Sequence, residues 1–336
     1  MKKISNKLKG KLNIILLVLV TIIVLYISLK DDFFEVIDGL KKLNIFWMII
    51  AVILTIGYYY FRSLSLYTFV KKFKNIEFKK ILKISFITQF FDGVTPSSSG
   101  GQPYQIYALS KENITIVDST NIAIQNFIVY QIALILLGLV AVISNNYLNL
   151  FSNVGNIKKL ILLGFIINVI VIIGLFSLAF MRKLNKMIVS LIIKIFGKLI
   201  KDKEKFIKDA NEYIDKFHDG ALILLKNKKD FIKTIIYNFI GLALMYVIPL
   251  VILYGLNDYK SLNIYTTIIS SAHVMLIGSF IPIPGASGGI EYAFTQFYGV
   301  FISDSTLTLV MLLWRTITYY LGVIIGAVLL NIRKKR

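Results

Sequence analysis

The chain has no cysteine and only two histidines, His218 and His273, in 336 residues. The first absence excludes disulfides, thiolate metal sites and cysteine nucleophiles. The second leaves too few imidazoles for a metal cluster, and His273 reads as a buried polar residue. Walker A, H-E-x-x-H and G-x-S-x-G patterns are missing too, so neither ATP-driven transport nor familiar hydrolase chemistry is supported, and no cofactor or metal is expected. Proline is scarce: of five copies, four are Pro96, Pro103, Pro282 and Pro284, gathered at two places. Acidic residues number 18 against 38 basic ones.

What is abundant is apolar. Hydrophobic residues make up 57% of the chain and the mean hydropathy is +0.73, outside the range of a soluble domain. Solid apolar runs cover Leu12 to Leu29, Ile45 to Phe61, Thr120 to Ile143, Leu160 to Phe180, Ile232 to Tyr254 and Thr306 to Leu330. Each approaches the ~20 residues that carry a helix across ~30 Å of hydrocarbon. Unbroken rather than alternating runs predict helices, not a barrel. The expected fold is an all-α polytopic membrane protein with six full spans, the first uncleaved.

A net charge of +20 raises the question of nucleic acid, and the placement of the basic residues answers it. With the N-terminus in the cytoplasm, 31 of the 38 Lys and Arg fall in cytoplasmic segments, among them Arg62 to Lys83 and Arg182 to Lys233. Six fall in external loops, and Arg315 alone lies within a span. That is positive-inside topology in a cytoplasmic membrane with both termini inside, and nucleic acid is not an expected partner. Met187 to Ile200, with Lys183, Lys186, Lys194 and Lys198 at helical spacing, suits a helix lying on the membrane surface. Lys201 to Lys229 is expected to form a short helical hairpin.

Two segments share one pattern, P-x-x-S-G-G-x-x-Y: Pro96 to Tyr104 (PSSSGGQPY) and Pro284 to Tyr292 (PGASGGIEY). Asp118-Ser119-Thr120 follows the first and Asp304-Ser305-Thr306 the second, which makes an internal repeat. Proline and paired glycine end helices, and bare backbone at membrane depth survives only inside protein or beside a water-filled cavity. Two re-entrant helical hairpins are therefore expected. Charge threading has them enter from opposite faces, an inverted repeat over 45–143 and 232–330 with a basic linker at 182–231, all in one membrane domain.

Several residues in these segments suit an anionic headgroup. Ser99, Gly100 and Gly101 in the first, and Ser287, Gly288 and Gly289 in the second, offer hydroxyls and backbone N–H groups. Glu291 is an intramembrane carboxylate, or else a helix N-terminal one held by the dipole. Arg315 is the cation to neutralise it, as a structural ion pair, or to hold a phosphate. Asp92 is the acidic counterpart in the first copy, or a turn residue in Asp92-Gly93; with Glu291 it would balance a cationic headgroup such as a lysyl group, or carry a coupling proton. Arg62, Gln89, Gln102, Gln125 and Gln131 are further polar residues, most of them suited to helix–helix contacts.

On Thr95 to Pro103 and on P-x-P-G-x-x-G-G-x-E at Pro282 to Glu291, the chain resembles the lysylphosphatidylglycerol synthase transmembrane-domain family. This is the flippase part of the bacterial multiple peptide resistance factor, also found as stand-alone proteins of about this length. The resemblance implies translocation of a phospholipid such as lysyl-phosphatidylglycerol, with Asp92, Gly100, Gly101, Gln102, Glu291 and Arg315 near the headgroup path. It implies anionic or lysylated phospholipids as partners, a separate synthase or a second copy as further ones, and a part in resistance to cationic antimicrobial peptides. Full-length members add a soluble domain that transfers lysine from tRNA to phosphatidylglycerol. Only six residues follow Leu330 here, so that transferase domain is not expected in this chain, and a phosphatidylglycerol lysyltransferase, or its accessory subunit, is kept as the alternative expectation. A transporter of a small polar solute, or a structural partner, stands behind both.

Overall fold

The computed structural model describes residues 33–151, 157–196, 202–279 and 281–332; the expected first span, Leu12 to Leu29, lies outside them. The described residues are helical with no strands, and five apolar helical stretches are long enough to cross a membrane: Ile45–Val70, Ile116–Leu148, Ile161–Phe180, Lys228–Gly255 and Ser305–Asn331.

In chain order the helices are α1 (Phe33–Lys41), α2 (Ile45–Val70), α3 (Phe78–Val94), α4 (Gly101–Lys111), α5 (Ile116–Leu148), α6 (Ile157–Phe180), α7 (Arg182–Phe196) and α8 (Lys203–Lys226). After them come α9 (Lys228–Tyr246), α10 (Ile248–Gly255), α11 (Ile264–Gly278), α12 (Gly289–Tyr298), α13 (Asp304–Arg315) and α14 (Leu321–Asn331). Short 3₁₀ turns at Pro96–Ser98 and Pro284–Ala286 join α3 to α4 and α11 to α12, and a π-helical turn at Thr316–Tyr320 joins α13 to α14.

Polar caps start the long helices where the sequence leaves its loops. Asn44 Oδ1 accepts from Phe46 N, Thr115 Oγ1 from Asp118 N and Asn227 Oδ1 from Asp230 N. Asn263 and Thr266 form a reciprocal capping box at α11. The fifth proline, Pro249, sits in the first turn of α10 and divides the fourth long stretch at Val247.

Packing between the halves is reciprocal. The opening spans α2 and α9 pack along each other. The helix entering the first tip, α3, packs on α14 at the end of the second half, and α11, entering the second tip, packs on α5 at the end of the first. The two tips also touch. The shared interior is apolar and aromatic, with Tyr59, Tyr246, Phe294, Phe297 and Tyr298 buried. His273 is buried there as expected, its Nδ1 paired with Ile269 O. Hydrogen-bonded amides and hydroxyls tie the spans: Asn238 reaches Ser65, which bonds Asn126, and Gln131 reaches Asn168, which bonds Ser279. Outward faces stay apolar, as at Leu162, Ile166, Ile170 and Ile173 of α6 and Ile49, Ile53 and Ile56 of α2. Such a surface is stable in lipid and not in water.

Two expectations change. The segment read as a hairpin is one helix, α8, capped by Asp202 Oδ1 on Lys205 N. No proline interrupts it, and its one glycine, Gly220, lies flush against Asn121 of α5. Arg62, assigned above to a cytoplasmic segment, lies inside α2, which runs on eight residues to Val70. The helix expected there is present as α7, with Met187, Leu191 and Ile195 exposed; Lys198 lies outside the described residues.

Candidate functional site

The two tips begin with the same backbone. Thr95 and Ile283 are extended (φ −117°, ψ 146° and φ −114°, ψ 144°), and a proline follows each. The next two residues take the left-handed region, Ser97 and Ser98 at φ 52° and 50°, Gly285 and Ala286 at φ 64° and 53°. The repeated motif therefore encodes one turn, used twice.

What holds each turn differs, and two substitutions explain how. In the first tip Thr95 Oγ1 donates to Phe91 O (2.6 Å) and accepts from Gly100 N (2.8 Å). The matching position in the second tip is Ile283, which has no hydroxyl. The matching amide, Gly288 N, instead donates to Glu291 Oε2 at 2.6 Å, and Glu291 stands where the first copy has Pro103. Each copy satisfies the same helix-start N–H donor with a side chain from the opposite side of it.

Glu291 is bound on its other side by Arg315, whose Nε lies 2.7 Å from Oε1. Arg315 Nη2 donates to Gly285 O at 3.0 Å and reaches Ser287 Oγ at 3.4 Å, and the guanidinium stacks 4.5 Å from the centre of the Tyr319 ring. Tyr319 belongs to the π-helical turn, donates to Gly93 O of α3 at 2.9 Å, and lies where a Cβ on Gly285 would be. It thus bridges both tips. The expected Glu291–Arg315 pair is present, and Glu291 is at once helix N-terminal and ion-paired.

The first copy has its own pair, which sequence reasoning missed. Arg62 Nη2 stands 4.0 Å from Asp92 Oδ2, while Nη1 donates to Tyr58 Oη (3.1 Å) and Gln89 Oε1 (3.3 Å). The rings of Tyr58 and Tyr130 flank the guanidinium at 5.6 and 5.0 Å. Asp92 and Gly93 are not a turn; α3 continues through both to Val94. Gly101 packs against the Asp92 carboxylate so closely that a Cβ would collide with it.

Between these groups lies a cavity of about 450 Å³, within the range of small-molecule sites. Of the residues expected at a site, Asp92, Ser99, Gln102 and Arg315 line it. Gly100, Gly101, Ser287, Gly288, Gly289 and Glu291 are not on its wall; they build the turns behind it. Arg62, Tyr58, Gln89, Tyr130, Gln131 and Tyr319 join the lining. The signal that could have found Arg62 is its spacing: it stands one turn after Tyr58, and no breaker intervenes before Lys71.

Known proteins place this arrangement. A UPF0104 membrane protein of Archaeoglobus fulgidus is 23% identical over 322 residues, spanning 87% of this chain and 88% of the relative. That description names a membrane protein and no substrate. The model of the family described as Lysylphosphatidylglycerol synthase TM region matches residues 13–326, which takes in both tips, both ion pairs and every helix lining the cavity. By that match the chain is a multi-pass membrane protein that belongs to the lysylphosphatidylglycerol synthase TM region family.

Proposed function

We propose that the protein is a lipid translocase of the cytoplasmic membrane. A headgroup enters the cavity between the two tips while its acyl chains stay in hydrocarbon. The observation that carries this reading is the meeting of two broken helices at one cavity that holds Arg62, Asp92 and Arg315 inside an apolar, lipid-facing body. Intramembrane ionisable groups are costly and mark substrate paths, and paired discontinuous helices are where transporters bind. The reciprocal packing of the halves supports an inverted arrangement, with the first hairpin based on the cytoplasmic face and the second on the external face. The family's description names lysylphosphatidylglycerol, so that lipid and its parent phosphatidylglycerol are the two candidates to compare; export of the lysyl lipid would contribute to resistance against cationic peptides.

The test is headgroup accessibility in liposomes carrying the full chain. Exchange between leaflets should exceed that of empty liposomes and slow with Arg62→Gln or Glu291→Gln. No excess over empty liposomes, across anionic and aminoacylated lipids, sinks the reading. Orientation is tested at the hairpin bases, because Ser98 and Ala286 both face the cavity. Single cysteines replacing Asn113 and Lys260 should react from opposite faces, and reaction from one face alone removes the inverted arrangement.

A further inference from the structure

We infer that the cavity selects an anionic headgroup, a phosphate ester with a neutral, hydroxyl-bearing remainder, and that Arg62 is the group that grips the phosphate; an aminoacylated, net cationic headgroup is the poorer ligand. This rests on reading the cavity as a lipid headgroup site, and it assigns the chemistry of what enters.

The charge of the wall gives the sign. Its ionisable charges are Arg62, Arg315 and Asp92, two cations and one anion. Glu291 is not on the wall; it accepts from Gly288 N and neutralises Arg315 at 2.7 Å. The Glu291–Arg315 pair is neutral as a unit, so a cationic headgroup would meet the Arg62 guanidinium, 20% exposed, ahead of the one cavity carboxylate, Asp92, which is 10% exposed and already faces it. Inside a low-dielectric body that mismatch is poorly screened.

The two cations are not equivalent. Arg315 is spent on Glu291, Gly285 O, Ser287 and the face of Tyr319, and its side chain is 6% exposed. Arg62 is 20% exposed, and both of its hydrogen bonds leave from Nη1. At 4.0 Å from Asp92, its Nη2 is beyond hydrogen-bond reach of that carboxylate. A guanidinium has five N–H donors in a fork that matches phosphate, and here the fork is held in place by the Tyr58 and Tyr130 rings with one edge unspent.

The rest of the polar wall is uncharged. Gln89, Gln102, Gln131 and Ser279, with the serines of the first tip, offer both donors and acceptors. Amides and hydroxyls of this kind pair well with headgroup hydroxyls. They leave an ammonium, a donor without acceptor capacity, short of counter-charge. A water-soluble phosphate ester presents the same chemistry without acyl chains.

Trp314 lines the cavity, and Trp47 is the chain's other tryptophan, so the full chain carrying Trp47→Phe reports binding through Trp314 fluorescence. In phosphatidylcholine nanodiscs, phosphatidylglycerol should bind about tenfold or more tightly than lysyl-phosphatidylglycerol, and Arg62→Gln should remove that margin. Arg62→Lys, which keeps the charge and loses the fork, should fall between. Asp92→Asn should leave phosphatidylglycerol binding intact or tighten it, the opposite of what a cationic cargo requires. Soluble glycerol phosphate that displaces the lipid means the phosphate group is what is read; failure to displace it limits the site to lipids. Equal or tighter binding of the lysyl lipid, an unchanged margin in both Arg62 variants, or loss of phosphatidylglycerol binding in Asp92→Asn overturns the inference. Should the binding order hold while no lipid crosses in liposomes, translocation fails and the headgroup assignment stands; crossing with the order reversed means the converse.

Discussion

Ser97 and Gly285 occupy the same point of the same turn, and the residues around them share backbone angles to within a few degrees at the entry. Past that point the copies part. Ser99 continues in the helical region at φ −82°, ψ −9°, whereas Ser287 is extended at φ −59°, ψ 142°, and Gly288 swings to φ 85° where Gly100 is at −87°. Ser97, Ser98 and Ser99 are exposed and line the cavity, while Pro284 and Ser287 are buried under Arg315. One turn is left open with its hydroxyls toward the cavity, and the other is bolted down. Repetition supplies the path of the chain. The chemistry comes from four side chains that the copies do not share: Thr95 and Arg62 in the first, Glu291 and Arg315 in the second.

The largest way to break that comparison is to remove the bolt. Arg315→Ala leaves Glu291 buried without its counter-ion and frees the Gly285 carbonyl, a change that costs about 3–5 kcal/mol for a buried pair. Arg62→Ala should cost clearly less, because its side chain is partly solvated by the cavity and its carboxylate partner is farther away. Thermal unfolding of both variants in the same detergent checks the ranking. Equal losses would mean that the two tips are equally clamped.

A smaller effect tests how each tip satisfies the same amide. Thr95→Val keeps shape and removes the oxygen that accepts from Gly100 N. An unsatisfied buried donor costs about 1–3 kcal/mol, and the lower half is expected here because the glycine is only partly buried. Ile283→Thr should restore part of the stability lost in Glu291→Gln, since it returns to the second tip the hydroxyl of the first. No recovery in the double variant would show that the carboxylate acts through Arg315 and not through Gly288.

How far the sequence carried the fold depends on what kind of residue held each feature. Proline and glycine mark backbone geometry, so Pro96 and Pro284 with their glycines placed both turns and both hairpins directly. Glu291 and Arg315 were legible as a pair because each is isolated in an apolar setting. Arg62 was not, because an apolar-run criterion stops at the first charge, and it follows Phe61 at the end of such a run. Only tertiary packing reveals that α2 continues, with Ser63, Ser65, Leu66 and Phe69 buried against its neighbours. The same blindness gave Asp92-Gly93 a turn's role: local preference names the dipeptide, but Gly93 lies against Tyr319 and Val323, and that contact is non-local. Wall and scaffold were likewise indistinguishable in sequence, since Ser99 and Ser287 share a motif position and only one of them faces the cavity.

The smallest effect sharpens the comparison at its starting point. Ser97 holds φ 52°, where a residue with a Cβ pays about 1–2 kcal/mol, and its counterpart is already glycine. Ser97→Gly relieves that strain but adds unfolded-state freedom worth about 0.4–1 kcal/mol. The net is a gain of roughly 0.5 kcal/mol, visible as a slight rise in unfolding temperature. A serine kept at a strained position, in a tip whose hydroxyls line the cavity, is worth its strain only if the hydroxyl is used. Headgroup binding should therefore weaken a few-fold in the stabilised variant. A variant both more stable and equally good at binding would make the serine an accident of the repeat, and would leave Ser98 and Ser99 as the hydroxyls that matter.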